Sequence, residues 1–167
     1  MVMRTVESAL DHPQIRTITR ISVGYVINVL ADYINASGLK PLDAFIVALV
    51  HVRNVATINN SIVESAQYET WDRPVPDELR VPVSRRSIAL SLGMPVETTR
   101  RRVDELIKLG LLIEVPGGVI HPLSAEKSLP LNVEMNTLNF RLFRRMITQF
   151  RAHKINLSSD SESEPRP

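Results

Sequence analysis

Residues 83–112 read VSRRSIALSLGMPVETTRRRVDELIKLGLL, and the fold follows from how that stretch divides. Ser84 can accept a hydrogen bond from one of the unpaired amides at a helix start, with Ile88, Ala89 and Leu92 on one face behind it. Gly93 supplies the permissive backbone of a tight turn, and the small Ala89 lets a second helix cross closely. Pro95 suits the first turn of that helix, where a missing N–H is no loss. At about 100° per residue, Thr99, Val103, Leu106 and Ile107 share one face, while Glu97, Arg100, Arg101, Asp104 and Lys108 share the other. The expectation is a buried stripe opposite an exposed, arginine-bearing face, with Gly110 just past the helix end. Leu111 to Val115 reads as a strand, Pro116-Gly117-Gly118 as its turn and Val119-Ile120-His121 as the return strand of a small hairpin.

From about Val81 to Pro122 the chain resembles the winged helix-turn-helix of bacterial transcription regulators. Glu97-Thr98-Thr99-Arg100-Arg101, followed by Val103-Asp104-Glu105-Leu106 and Gly110-Leu111-Leu112, is similar to the recognition-helix ending of GntR-type regulators. Ser84 through Gly93 is similar to the Crp-type version. Thr99 and Arg102 stand where these families usually carry aliphatic core residues; Arg102 can lay its methylenes on the core and send its guanidinium outward. The resemblance implies double-stranded DNA as partner. Ser84, Arg85, Arg86 and Ser87 would hold phosphates and set register. Base reading in the major groove would fall to Glu97, Thr98, Arg100 and Arg101. The hairpin tip has no basic residue, so minor-groove insertion by the wing is not implied. The superfamily also includes members that bind only protein, which makes a protein–protein module the alternative.

Outward from this stretch the chain is apolar at helical spacing. Ile15, Ile18, Val23, Val26, Leu30, Tyr33 and Ile34 recur over Gln14–Ala36, with more apolar residues between them. A helix apolar on more than one side is usually buried in a domain or against a second subunit. Gly38 stops it and Pro41 starts the next, expected from Pro41 to about Gln67. Residues 71–82, with Trp71, Pro74, Pro76 and Pro82, read as a stiff linker that Trp71 pins to a core. Leu79 to Val83 adds a short first strand. After the hairpin, Pro122–Pro130 reads as loop and Leu131 to about Asn156 as one long helix. Along it, Met135, Leu138, Leu142, Met146 and Phe150 form one row, and Phe140, Phe143 and Ile147 a second.

Two rows exceed what one small domain covers, so Leu138, Leu142, Phe143, Met146 and Phe150 are assigned to a homodimer seam shared with the N-terminal helix. Arg141, Arg144, Arg145 and Arg151 border that seam. Helices before and after a winged reader resemble the MarR-type layout. The expected organisation is a mainly α chain with a small β-hairpin wing. It divides into an N-terminal dimerisation region (1–70), a linker (71–82), a winged helix-turn-helix (83–122), a C-terminal dimerisation helix (123–156) and a serine-rich acidic tail (157–167). A small hydrophobic effector could sit between the apolar N-terminal helices, although ordinary dimer core accounts for the same residues.

The 167 residues suit one domain with extensions, and 44% hydrophobic residues are ample for a core. The chain has no cysteine, which excludes disulfides, thiolate catalysis and Cys-based zinc sites. No apolar run approaches the ~20 residues of a membrane span, and the start lacks a signal-peptide core, so a soluble cytoplasmic protein is expected. Net charge is +2, unevenly spread: basic against acidic residues number six to nine over 1–79, eight to five over 80–127, five to one over 128–157 and one to three over 158–167. Positive charge thus gathers on the reader and on the long helix after it. His12, His51, His121 and His153 show no metal-ligand spacing, and His51 on an apolar helix reads as a satisfied, half-buried histidine. No P-loop, dinucleotide fingerprint or nucleophile elbow appears, so neither enzyme chemistry nor a cofactor or metal is expected.

Overall fold

Helix ends organise the structure. The computed structural model describes residues 13–70, 72–128 and 131–155; the first residues of the expected N-terminal region, the expected Trp71 pin and the acidic tail lie outside them. The helices are α1 (Ile15–Ser37), α2 (Pro41–Asn54), α3 (Ala56–Asn59), α4 (Ile62–Ser65), α5 (Arg85–Leu92), α6 (Val96–Lys108), α7 (Leu123–Ser128) and α8 (Leu131–Ala152), with 3-10 turns at Ala66–Tyr68 and Asp77–Leu79. Strands β1 (Ile113–Val115) and β2 (Gly118–Ile120) pair antiparallel, Ile113 opposite Ile120 and Val115 opposite Gly118. The chain is mainly helical with one small hairpin. Its described residues form two compact units, 33–134 and 13–32 with 135–155.

Local chemistry sets the α5–α6 pair. The Ser84 hydroxyl accepts the Ser87 amide at 3.1 Å, and Gly93 ends α5 with φ +62°, a conformation open to glycine at no steric cost. Pro95, expected inside α6, instead sits just before it with extended ψ, and its carbonyl takes the Thr99 amide. At the far end the Leu111 amide reaches the Leu106 carbonyl and the Gly110 amide that of Ile107, a Schellman ending with Leu106 and Leu111 both buried. Ile46, Val47 and Val50 of α2 join Val83, Ile88, Val103, Leu106, Leu112 and Val119 in one core. Helix α2 is therefore the floor on which α5, α6 and the hairpin rest.

Three further expectations change in this unit. The helix expected to run to Gln67 stops at Asn54, because that residue is bound elsewhere. Its carbonyl accepts the Val81 amide at 2.9 Å, its Nδ2 donates to the Val81 carbonyl at 2.7 Å and its Oδ1 accepts the His121 amide at 2.9 Å. With both Val81 groups turned to Asn54 and no N–H on Pro82, the expected strand over Leu79–Val83 shrinks to a single bridge, Val83 to Val119. Finally, the loop expected over Pro122–Pro130 contains α7. Its first amide, Leu123, is held by Asp77 Oδ1 at 2.8 Å, a cap supplied from 46 residues upstream.

In the other unit, α1 and α8 meet through the Tyr25 hydroxyl, which donates to Asn139 Oδ1 at 2.7 Å, and through the Tyr25 and Phe143 rings, edge to face at 6.2 Å. Gln14 donates to the His153 carbonyl at 2.8 Å. Helix α8 ends at Ala152, short of the expected Asn156, with Lys154 at φ +52°. Among the described residues no single helix is long and apolar enough to cross a membrane.

Candidate nucleic-acid interface

Helix α6 separates two faces. Thr99, Val103 and Leu106 are buried, and the Thr99 hydroxyl, in an aliphatic position, satisfies itself by donating to the Pro95 carbonyl at 3.1 Å. Glu97, Arg100, Arg101 and Lys108 are exposed, and Thr98 is half-buried beside them. Arg100 clasps Glu97 through both Nε and Nη2, at 3.0 and 2.6 Å. The Arg100 hydrogen bond, then its charge, holds the Glu97 carboxyl below its usual range. Such a pair in open solvent is weak and can be traded for a base or phosphate. Arg101 makes no hydrogen bond or ion pair among the described residues, and its guanidinium is open to a ligand. The Arg102 guanidinium, expected to point outward, is largely covered instead: its Nη1 lies 3.5 Å from the mostly buried Asp43 of α2 and 3.4 Å from Glu105, and its Nε is buried.

The four residues expected on phosphates separate. Ser84 spends its oxygen on the helix cap. The Arg85 fork is occupied on both sides, by Glu114 of β1 at 2.8 Å and Asp104 of α6 at 2.9 Å. This braces hairpin, α5 and α6 together, and the Glu114 bond is the main reason the Arg85 pKa is raised. Ser87 Oγ accepts Arg53 Nη1 at 2.6 Å. Arg86 is exposed and, among the described residues, makes no hydrogen bond or ion pair. Arg53 was missed in the sequence: it reaches from α2 to Ser87 and to Ser91 at 2.6 Å, and brings a cation to the polar side of α5. Nothing in its own neighbourhood announces that, since its partners lie 34 and 38 residues away.

The residues assigned to the seam lie along α8. Leu138, Leu142 and Met146 are half-buried, Phe143 is 44% exposed and Phe150 is buried. Phe140 on α8 and Val23, Val26 and Ile27 on α1 are also well exposed.

Beneath the hairpin lies a polar corner the sequence did not disclose. Arg80, nearly fully buried, donates to Glu126 Oε1 at 2.8 Å, the His121 carbonyl at 2.7 Å and the Val75 carbonyl at 2.9 Å. Asp77 lies 3.2 Å from its Nε, close enough for attraction but off the hydrogen-bond line. Glu126 also meets His51 Nδ1 at 2.9 Å. Burial alone would raise the Glu126 carboxyl; hydrogen bonds from His51 and Arg80, with their charges, outweigh it and hold it at about 2. Burial lowers the His121 pKa against the opposing pull of its bond to the Leu111 carbonyl. His51, His121 and Glu126 each place one possible ligand atom within 4.8 Å of the others, so these residues could hold a metal ion. Compared with protein-family models, curated proteins and solved structures, the chain matches none.

Proposed function

We propose that the chain is a sequence-specific DNA-binding transcription regulator that meets a palindromic site as a homodimer. The observation that carries the reading is the two-faced α6: a buried stripe fixes the helix on its core, and the opposite face offers Arg101 open and Arg100 only loosely held. Laid in the major groove, Arg100 and Arg101 suit bidentate contact with guanine, Glu97 can accept from a cytosine amine, and Thr98 can touch a phosphate or a thymine methyl. Arg86, with Arg53 behind it, suits the phosphates and sets register without choosing sequence. The apolar residues left open on α1 and α8 support a two-fold pairing, which would place two readers about one helical turn apart. A groove of about 300 Å³ between α1 and α8 is lined by Arg20, Tyr25, Arg145 and Met146 among others. A small effector seated there would meet two arginines as well as apolar surface.

The second reading, a winged-helix module for protein partners, draws on Leu90, 74% exposed on α5, and on Val96 and Leu109 at the two ends of α6. A duplex makes little use of such side chains. The two readings part in salt response, because displacing counterions from phosphates makes DNA binding fall steeply with salt. The test is selection from random duplexes, read by fluorescence anisotropy at two salt concentrations, on wild type and on Arg100→Ala/Arg101→Ala. An enriched palindrome that the double variant binds at least about tenfold more weakly is the expected result. Absence of enrichment, or binding that the variant leaves unchanged, sinks the major-groove assignment and favours the protein module.

A further inference from the structure

Three segments far apart in the chain converge at the corner beneath the hairpin: His51 on α2, His121 just past β2 and Glu126 on α7. The imidazoles of His51 and His121 stand edge to face, 5.7 Å between centroids. His121 Nδ1 lies 2.7 Å from the Leu111 carbonyl. A carbonyl only accepts, so Nδ1 carries the proton and Nε2 presents a lone pair. Histidines that ligate metals are oriented in this way, the second nitrogen donating to a carbonyl or carboxylate. His121 is buried, Glu126 is 12% exposed and the His51 side chain is 44% exposed, which leaves a route in from solvent. Among the described residues, the corner's ion pairs join one fixed cation, Arg80, to two fixed anions, Glu126 and Asp77. One positive against two negative leaves a surplus of one negative charge for a cation to neutralise.

We propose that His51, His121 and Glu126 form a three-ligand site for a divalent first-row transition ion, with its remaining position open to water. Two imidazoles and a carboxylate suit zinc and its neighbours rather than calcium or magnesium, which prefer all-oxygen shells. Tetrahedral bonds of about 2.0–2.1 Å set donors roughly 3.4 Å apart. Ligand atoms lying within 4.8 Å of one another therefore have to close by at most somewhat over an ångström. His51 is the mobile jaw, being the most exposed of the three and held by one hydrogen bond to Glu126 that the ion replaces. Glu126 gives one carboxylate oxygen while Arg80 keeps its hold on the group, and that competition moderates the affinity. An ion there ties α2, the exit of the hairpin and α7 into one clasp.

The experiment takes the full chain, stripped with chelator, and titrates it with Zn²⁺ by calorimetry and with Co²⁺ by visible absorption. Melting by circular dichroism is followed in parallel. One equivalent should bind saturably, give a tetrahedral-type Co²⁺ band and raise the melting temperature progressively with free ion. His51→Ala and Glu126→Gln should each weaken binding at least about tenfold, while His153→Ala, elsewhere in the chain, leaves it unchanged. His51→Ala decides the matter if Glu126→Gln fails to fold, since His51 is half open and the core does not rest on it. Wild-type protein that takes up no ion saturably, or binding indifferent to His51→Ala, overturns the site and leaves the corner a hydrogen-bonded latch. None of these readouts involves DNA, so the result stands apart from the regulator reading.

Discussion

In the 33–134 unit, Ile46, Val50, Ile88, Val103, Leu112 and Val119 are buried by the chain itself. Along α1, by contrast, no residue is buried, and Val26 and Ile27 on that helix, with Phe140 and Phe143 on α8, stand open. Both regions are rich in apolar residues. They differ in how many neighbours share the work: α2 is covered by α5, α6 and the hairpin, whereas among the described residues α1 and α8 have only each other, and two helices side by side can cover only one stripe each. A helix apolar on several sides needs more than one partner, and under the proposed pairing the open faces of α1 and α8 are where a second copy would pack.

The most damaging way to break the self-sufficient side is at its tightest contact. A Cβ on Gly118 would lie 2.4 Å from the Val83 carbonyl oxygen, at φ +154°, where side chains are rarely tolerated. Backbone has to move, and the bridge from Val83 to Val119 goes with it. Gly118→Ala should destabilise the fold by roughly 3–5 kcal/mol, combining overpacking with backbone strain, measured by urea unfolding. A loss under about 1 kcal/mol would mean that the hairpin does not sit against Val83.

Acid tests the same side next. The Glu126 carboxyl titrates at about 2 in the fold against 4.5 when open, so between these values the unfolded chain binds the extra proton. Its contribution is complete above about pH 5 and is lost as pH falls toward 2. Part of the shift comes from His51, which is 44% exposed and screened, leaving on the order of 2 kcal/mol. His121, lowered from 6.5 by burial, pulls the same way: its share begins to go as pH drops through 6.5. Glu126→Gln should flatten the acid limb of a stability–pH curve; an unchanged limb would place the acid sensitivity elsewhere.

On the open side the sensitive property is association. Val26→Glu or Phe140→Glu should leave helix content unchanged and weaken self-association at least about tenfold, since each places a charge where an apolar contact is needed. Sedimentation over a range of concentrations reads it. A wild type that stays monomeric throughout would dismiss the dimer seam.

How much of this was legible depends on the range of each signal. The Ser84 cap, the glycine endings at Gly93 and Gly110 and most of the buried stripe of α6 depend on residues a few positions apart and appear where the pattern put them; Ile107 is only half-buried, and the hairpin expected over Leu111–His121 is shorter, Ile113–Val115 paired with Gly118–Ile120, with Gly118 in a strand rather than the turn. The end of α2 depends on Asn54 meeting His121, 67 residues on, and no periodicity carries that information. Arg85 illustrates the limit at the site. Its place at the start of α5 was readable, but its engagement by Asp104 and Glu114 was not, and those partners decide whether its charge is free. The His51, His121 and Glu126 corner was invisible for the same reason, as three ordinary residues brought together only by packing.

The smallest expected effect concerns how the two regions end their helices. Helices α5 and α6 close on glycines with φ +62° and +71°. Helix α8 closes with the same pair of bonds as α6, the Lys154 amide to Arg151 and the Ile155 amide to Phe150, yet places a lysine in the left-handed position at φ +52°. Relief of the Cβ clash there favours glycine by about 1–2 kcal/mol, while the looser unfolded chain takes back about 0.4–1 kcal/mol. Lys154→Gly should therefore stabilise α8 by roughly 0.5–1 kcal/mol. Gly110→Ala should act in the opposite sense on the 33–134 unit, by about 1 kcal/mol. If the pair shift one common melting transition, the two units unfold together; if each moves its own transition, the open unit's stability is separate and is governed by whatever covers it.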